Sequence, residues 1–274
     1  MKKNIFITLL KGLWIGGTMT VPGISGGSMA MILGIYNRLI YAVNHAVRLQ
    51  KDSILFLIEF LAGAAAGMIL FSKSLLHLLE NYPMTMQYFF IGCVVGGAPM
   101  IFRAAKIKKF TWKAIAYPII GILLVYLISL LPEGLFSSSA HQGLGGIALQ
   151  LLGGVIIAVA LVLPGISVSQ MLLMLGLYEE VMQAVSTFHI LSILPLGIGV
   201  ILGTLLTAKI METAMERAPQ FTYLVVLGFI LGSVPELFPG IPTGWTALFS
   251  ILTAIAGFVV VFFITRKEDG ISAS

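Results

Sequence analysis

The turn Val21-Pro22-Gly23-Ile24-Ser25 lies between apolar stretches of this chain, and Leu163-Pro164-Gly165-Ile166-Ser167 repeats it, 164 against 22, a separation of 142. Proline and glycine break a helix, and a broken helix leaves backbone N–H and C=O groups unpaired. In hydrocarbon such groups are tolerated only where protein or a wet cavity surrounds them. A break made twice limits the chain to folds in which two interrupted helices are held among other apolar ones.

The repetition continues past the turns. Leu33-Gly34-Ile35-Tyr36 matches Leu175-Gly176-Leu177-Tyr178 at the same separation. Gly63, Gly67 and Lys73 then match Gly199, Gly203 and Lys209, and Pro83, Gly92, Gly96 and Pro99 match Pro219, Gly228, Gly232 and Pro235, now at 199 against 63, a separation of 136. Two halves share one plan. The first half carries the extra residues (142 less 136, six) between Tyr36 and Gly63, where the polar run Asn44 to Asp52 reads as a loop.

Composition identifies the solvent. Of 274 residues 58% are hydrophobic and 10% charged, with a mean hydropathy of +1.04, too little polar surface to cover a water-soluble globule. The net charge of +5 in such a chain reports orientation rather than a nucleic-acid partner. Cys93, the single cysteine, reads as a packing residue and excludes an intramolecular disulfide. His45, His77, His141 and His189 lack ligand spacing, so neither metal nor cofactor is expected. Lys11 interrupts the first apolar run, and the segment after it recurs in the second half, so the run reads as mature protein rather than a signal.

The expected fold is an all-α integral membrane protein of two inverted-topology repeats, each a re-entrant helix hairpin plus three transmembrane helices. The first repeat, 1–131, has its hairpin at 4–36 and spans at about 53–77, 86–103 and 114–131. An external linker follows at 132–144. The second repeat, 145–274, has its hairpin at 145–178 and spans at about 190–210, 221–235 and 245–264. The apolar run after the first turn, Met29 to Ile35, is far short of the roughly twenty residues a crossing needs, hence the hairpin. Three crossings plus a hairpin make an odd number, which inverts the second copy.

Charge sets the orientation. The loops 78–85, 132–145, 179–190 and 236–243 hold Glu80, Glu133, Glu179, Glu180 and Glu236 but no Lys or Arg. The other face collects Lys2, Lys3, Arg38, Arg48, Lys51, the basic cluster in 103–113, Arg217, Arg266 and Lys267. The positive-inside rule puts both termini in the cytoplasm.

Helices opening at Gly26-Gly27-Ser28 and Val168-Ser169-Gln170, with hydroxyls at Ser25, Ser28, Ser167 and Ser169, offer N–H groups to an anion. A helix end supplies about 0.3–2 kcal/mol, whereas stripping an ion of water costs on the order of tens. The site must therefore stay wet or hold cations. Lys11, which aligns with Gly153, is one candidate cation; Lys73 and Lys209 are shared by the halves and, by inversion, face opposite leaflets. Glu59, inside a span, is a candidate proton carrier, with a packed or snorkelling carboxylate as the plainer reading. Gly63-x3-Gly67 and Gly199-x3-Gly203 read as close helix packing.

The stretch Gly17-Thr18-Met19-Thr20-Val21-Pro22-Gly23-Ile24-Ser25-Gly26-Gly27-Ser28-Met29-Ala30, with Ile32 to Tyr36 and Leu163 to Ser167, resembles the bacterial polyprenyl-phosphate transporter family, formerly a domain-of-unknown-function membrane family. The resemblance spans nearly the whole chain. It implies a translocase in the bacterial cytoplasmic membrane that returns undecaprenyl phosphate from the outer to the inner leaflet, a partner lipid whose phosphate suits the turns. Proton or sodium coupling and a homodimer are both left open. Some members of the family carry an acid near the position of Thr20, so no acid-based coupling is carried over to that site. One rival is an undecaprenyl-pyrophosphate phosphatase-like enzyme, whose motif has an arginine where Gly26 and Val168 stand here. Another is an ion-coupled carrier of a small soluble anion.

Overall fold

Prolines open several helices of this chain and glycines let them touch. The computed structural model describes residues 5–21, 23–107, 111–136, 143–187 and 189–272, and among these the regular elements are helices. In order they are α1 (Ile5–Thr18), α2 (Gly26–Ile32), α3 (Tyr36–Ala46), α4 (Lys51–Asn81), α5 (Pro83–Ala104), α6 (Lys113–Ser129), α7 (Gly143–Val162), α8 (Val168–Leu175), α9 (Tyr178–Ser186), α10 (Leu194–Arg217), α11 (Pro219–Gly232), α12 (Val234–Leu237) and α13 (Gly244–Ser272). Pro22, Lys2, Lys3, Lys108, Lys109, His141 and part of the linker, 137–142, lie outside the described residues.

Among the described residues six stretches are long and apolar enough to cross a membrane: α4, α5, Gly145–Val162 of α7, Ile190–Arg217, Pro219–Leu237 and Gly244–Arg266. The chain is a multi-pass membrane protein. Two lengths differ from the sequence reading. α7, read as a hairpin arm, meets neither proline nor charge before Pro164 and so reaches 20 residues. α6, read as a full crossing, stops after 17 at Ser129, with Pro132 and Gly134 just beyond. The stretch 179–190, read as a loop, holds most of α9, whose Ala184 is buried and whose Glu180 accepts a 2.6 Å hydrogen bond from Gln150. α3 is likewise helical through Asn37 and Arg38, and the turn in the polar run is confined to Val47–Gln50.

Glycines set which helices pair. An ideal Cβ on Gly63 would lie 2.4 Å from the Leu9 carbonyl oxygen, and one on Gly67 2.0 Å from that of Leu13, so α4 lies backbone to backbone on α1. Gly199 and Gly203 approach Leu151 and Val155 of α7 in the same way. Both Gly-x3-Gly pairs are thus packing surfaces, as their spacing predicts. Gly92 and Gly96 meet Ala254 and Phe258 of α13, and Gly228 and Gly232 meet Pro118 and Ile122 of α6. Residue numbers rise together along all four contacts, so each pair runs parallel. The last long helix of each half therefore packs on a helix of the other half, α13 on α5 and α6 on α11.

Gly67→Ala should therefore lower stability by about 2–3 kcal/mol, because its methyl meets rigid backbone. Gly197→Ala on α10 has open space around it and should be neutral or stabilising by up to about 1 kcal/mol. Thermal unfolding of the two variants in detergent checks the contrast.

α2 is deeply buried, as is Thr222 to Ile230 of α11: Ser28 through Leu33 are all buried, and Ile32 at 0% exposure occupies the space left by Gly97. Outward faces are apolar and exposed, such as Ile69 at 77% and Ile201 at 63%, as a lipid-facing surface requires.

Candidate functional site

The two Pro-Gly turns meet. Ser25 caps α2 from an extended conformation (φ −83°, ψ 126°), and its hydroxyl oxygen accepts a long, 3.5 Å bond from the Ser28 N–H. Ser167 precedes α8 with nearly the same angles (φ −84°, ψ 126°), but its side chain makes no cap bond. Ser28 points from the first turn region to the second, where its hydroxyl oxygen accepts a 2.7 Å bond from the Gly165 N–H. Gly27 lies alongside: a Cβ there would be 3.3 Å from the Pro164 backbone. Ser25, Ser28 and Ser167 are all buried, Gly26, Gly27 and Val168 are half-buried, and Ser169 is exposed.

Gly165 is held at φ +92°, the left-handed region that favours glycine, hard against the Phe229 carbonyl of α11. Gly23 is at φ +83°, with the Leu237 side chain of α12 over it. The second turn opens into a cleft of about 260 Å³ lined by Gly165, Ser167, Gln170 and Glu236 among others. Its interior clears about one water molecule. The Gln170 amide, its nitrogen turned to Glu236, donates to both carboxylate oxygens at 2.9 and 3.1 Å. Glu236, read from sequence as a loop acid, thus stands at the mouth of the second turn, and the adjoining Leu237 covers the first.

The free ends of the broken helices are satisfied by side chains. Lys11 Nζ donates to the Leu33 carbonyl at 2.7 Å. That carbonyl closes the C-terminal end of α2, seven residues or about 10 Å from its start, so this bond satisfies an orphan carbonyl at the end of α2 away from Gly26. The Tyr36 hydroxyl donates to the Val162 carbonyl, the last of α7, at 2.7 Å. Tyr36 was visible only as part of the repeated Leu-Gly-Ile-Tyr; its tie to the other half was not.

The remaining candidates lie on α4 and α10. Lys73 is exposed on α4, two residues beyond Phe71, whose ring lies against Gly17. Lys209 is exposed beside Asn44, His45, Arg48 and Glu212 in a cleft of about 760 Å³; Asn44 donates to Glu212 at 2.6 Å there. Glu59 is buried at 7% exposure on the inward face of α4, and neither carboxylate oxygen has a hydrogen-bond partner among the described residues. Phe56 lies one turn from Glu59 along α4, and the Arg38 guanidinium sits 4.0 Å above its ring.

The family model described as undecaprenyl phosphate translocase-like matches residues 15–257. A polyprenyl-phosphate transporter of Staphylococcus aureus is 32% identical over 285 residues, covering 95% of this chain and 96% of that protein. One from Vibrio cholerae serotype O1 is 29% identical over 250 residues, covering 86% and 78%. No solved structure matches the chain.

Proposed function

The chain belongs to the undecaprenyl phosphate translocase-like family, and from that premise we propose that it is a transporter, not an enzyme, carrying undecaprenyl phosphate from the outer to the inner leaflet of the bacterial cytoplasmic membrane. The phosphate binds between the two turns. The observation that carries this reading is the bond from Gly165 N–H to Ser28, which joins the two halves at their matching motifs.

In the form described the tips are closed on each other. A phosphate oxygen accepts from the Gly165 N–H in place of the Ser28 oxygen, and the Ser28 hydroxyl donates its own proton to the phosphate. Head group and tip contact are alternative partners. A bond to a charged acceptor contributes about 1.5–3 kcal/mol against about 0.5–1.5 for a neutral one, so the exchange favours the anion wherever its desolvation is offset. The isoprenoid tail stays in lipid along the apolar outer faces.

Inverted halves would present each turn to one leaflet. Support comes from the matched parallel pairs and from the one-residue links Tyr82 (φ −133°, ψ 54°) and Ala218 (φ −136°, ψ 58°), equivalent in sequence and nearly identical in shape. Lys106, Lys113, Arg217 and Arg266 then face the cytoplasm with both termini. Glu59, buried and without a hydrogen-bond partner among the described residues, is the proposed proton carrier.

The test is transport by purified protein in vesicles. Ser28→Ala, and Ser25→Ala with Ser167→Ala, should each slow lipid-phosphate flipping at least about tenfold, a loss of about 1.4 kcal/mol. No phosphate should be released, since the phosphatase-type arginine is replaced by Gly26 and Val168. Undiminished flipping in both variants, or phosphate release by the wild type, overturns the reading.

A further inference from the structure

Away from the turns, the ends of α5, α6, α10 and α11 enclose an open groove of about 1530 Å³. Its cations are Lys106, Lys113 and Arg217, and its apolar wall is Trp112, Tyr117 and Phe221, the last two in edge-to-face contact at 5.0 Å. Among the described residues no hydrogen bond or ion pair engages the three charged ends.

Two of these cations are placed against local stability. Lys106 follows α5 at φ +50°, a left-handed position where glycine is favoured and a lysine is strained. Lys113 is the first residue of α6, the positive end of that helix, where a cation is disfavoured. Arg217, at the end of α10, has the favourable placement. Trp112, immediately before α6, is 71% exposed. Charge set at such sites, converging on one groove beside exposed aromatics, has the chemistry of an interfacial anion site.

We propose that this groove docks a lipid-borne phosphate at the membrane surface, separately from the turns, with the head group among Lys106, Lys113 and Arg217 and the attached chain along Trp112 and Phe221. Two lipids share that chemistry: the isoprenoid monoester that the transport reading supplies, and an anionic phospholipid of the bilayer. In the first case the groove is where cargo leaves or enters on the basic face, and that assignment rests on the transport reading.

The full chain contains three tryptophans, so Trp14→Phe with Trp245→Phe leaves Trp112 as the reporter. In neutral detergent micelles, farnesyl phosphate should change its fluorescence saturably, and farnesol should not. Lys106→Gly, Lys113→Gln and Arg217→Gln should each weaken binding about fivefold, the effect of one cation at a membrane surface. Lys106→Gly also relieves the left-handed strain, so its unfolding temperature should not fall and its lost affinity reports the side chain alone. Dioctanoyl phosphatidylglycerol with the same losses assigns the site to bilayer lipid; response to farnesyl phosphate alone assigns it to cargo. Equal response to farnesol, or wild-type affinity in Lys106→Gly, overturns the proposal. The two readings fail separately: flipping without a Trp112 response sinks the groove, and a Trp112 response without flipping sinks transport.

Discussion

Gly165→Ala is expected to yield little folded protein, whereas Gly23→Ala, its counterpart in the other turn, is expected to fold and lose only about 1–3 kcal/mol. Both glycines hold positive φ, +92° and +83°, and an alanine at either costs about 1–3 kcal/mol in backbone strain alone. They differ in what the added methyl meets. At Gly165 it would lie 2.4 Å from the Phe229 oxygen and 2.5 Å from its carbonyl carbon, inside α11, where a helix backbone cannot move aside. At Gly23 it would meet the end of the Leu237 side chain at 3.2 Å, which can rotate. Overpacking adds about 1–3 kcal/mol or more at the first site, and the sum approaches the 5–15 kcal/mol, roughly, that holds a domain together. Yield of monodisperse protein and the unfolding midpoint in detergent measure both variants side by side. Equal loss at the two positions would mean that the second turn is not wedged on α11 as described.

That asymmetry shows what the sequence could and could not supply. Pro-Gly-Ile-Ser appears twice and marks both breaks, because a helix cannot pass through it. The glycine pairs likewise announce close packing, since only glycine allows a neighbouring backbone as close as 2.0 Å from an ideal Cβ, as at Gly67 and Gly92. Neither signal names a partner. That Gly92 meets α13 and Gly228 meets α6, across the halves, is decided by tertiary packing with no local trace. Glu236 and Gln170 are 66 positions apart (236 less 170) and belong, by hydropathy, to a loop and a helix; only the fold sets them at one cleft. The role of Lys11 is not written locally either. A lone cation on an apolar helix is as well satisfied by the orphan carbonyl of Leu33 as by a ligand. α3 and α9 were hidden because polar residues on one face mask a helix when apolar runs alone are counted.

Glu59 gives the second large effect, because its stability and its use should move in opposite directions. The carboxyl sits on the same inward face as Phe56, Gly63 and Gly67, and among the described residues it meets no hydrogen-bond partner. Either protonation state then leaves polar atoms unmet, at about 1–3 kcal/mol. Glu59→Leu removes that cost while filling a similar volume, and should raise the unfolding midpoint. A packing residue would be improved by this change and transport would follow stability upward. A proton carrier is retained despite its cost, so Glu59→Leu and Glu59→Gln should both lose the response of lipid-phosphate flipping to an imposed pH gradient, by about tenfold or more. Glu59→Gln separates shape from charge, since it keeps the size and hydrogen-bonding capacity of the side chain and loses only the exchangeable acid. Vesicle flipping with and without the gradient, together with thermal unfolding, reads both quantities. A more stable Glu59→Leu that still responds to the gradient would show that the acid is merely buried, and the driving ion must then act elsewhere.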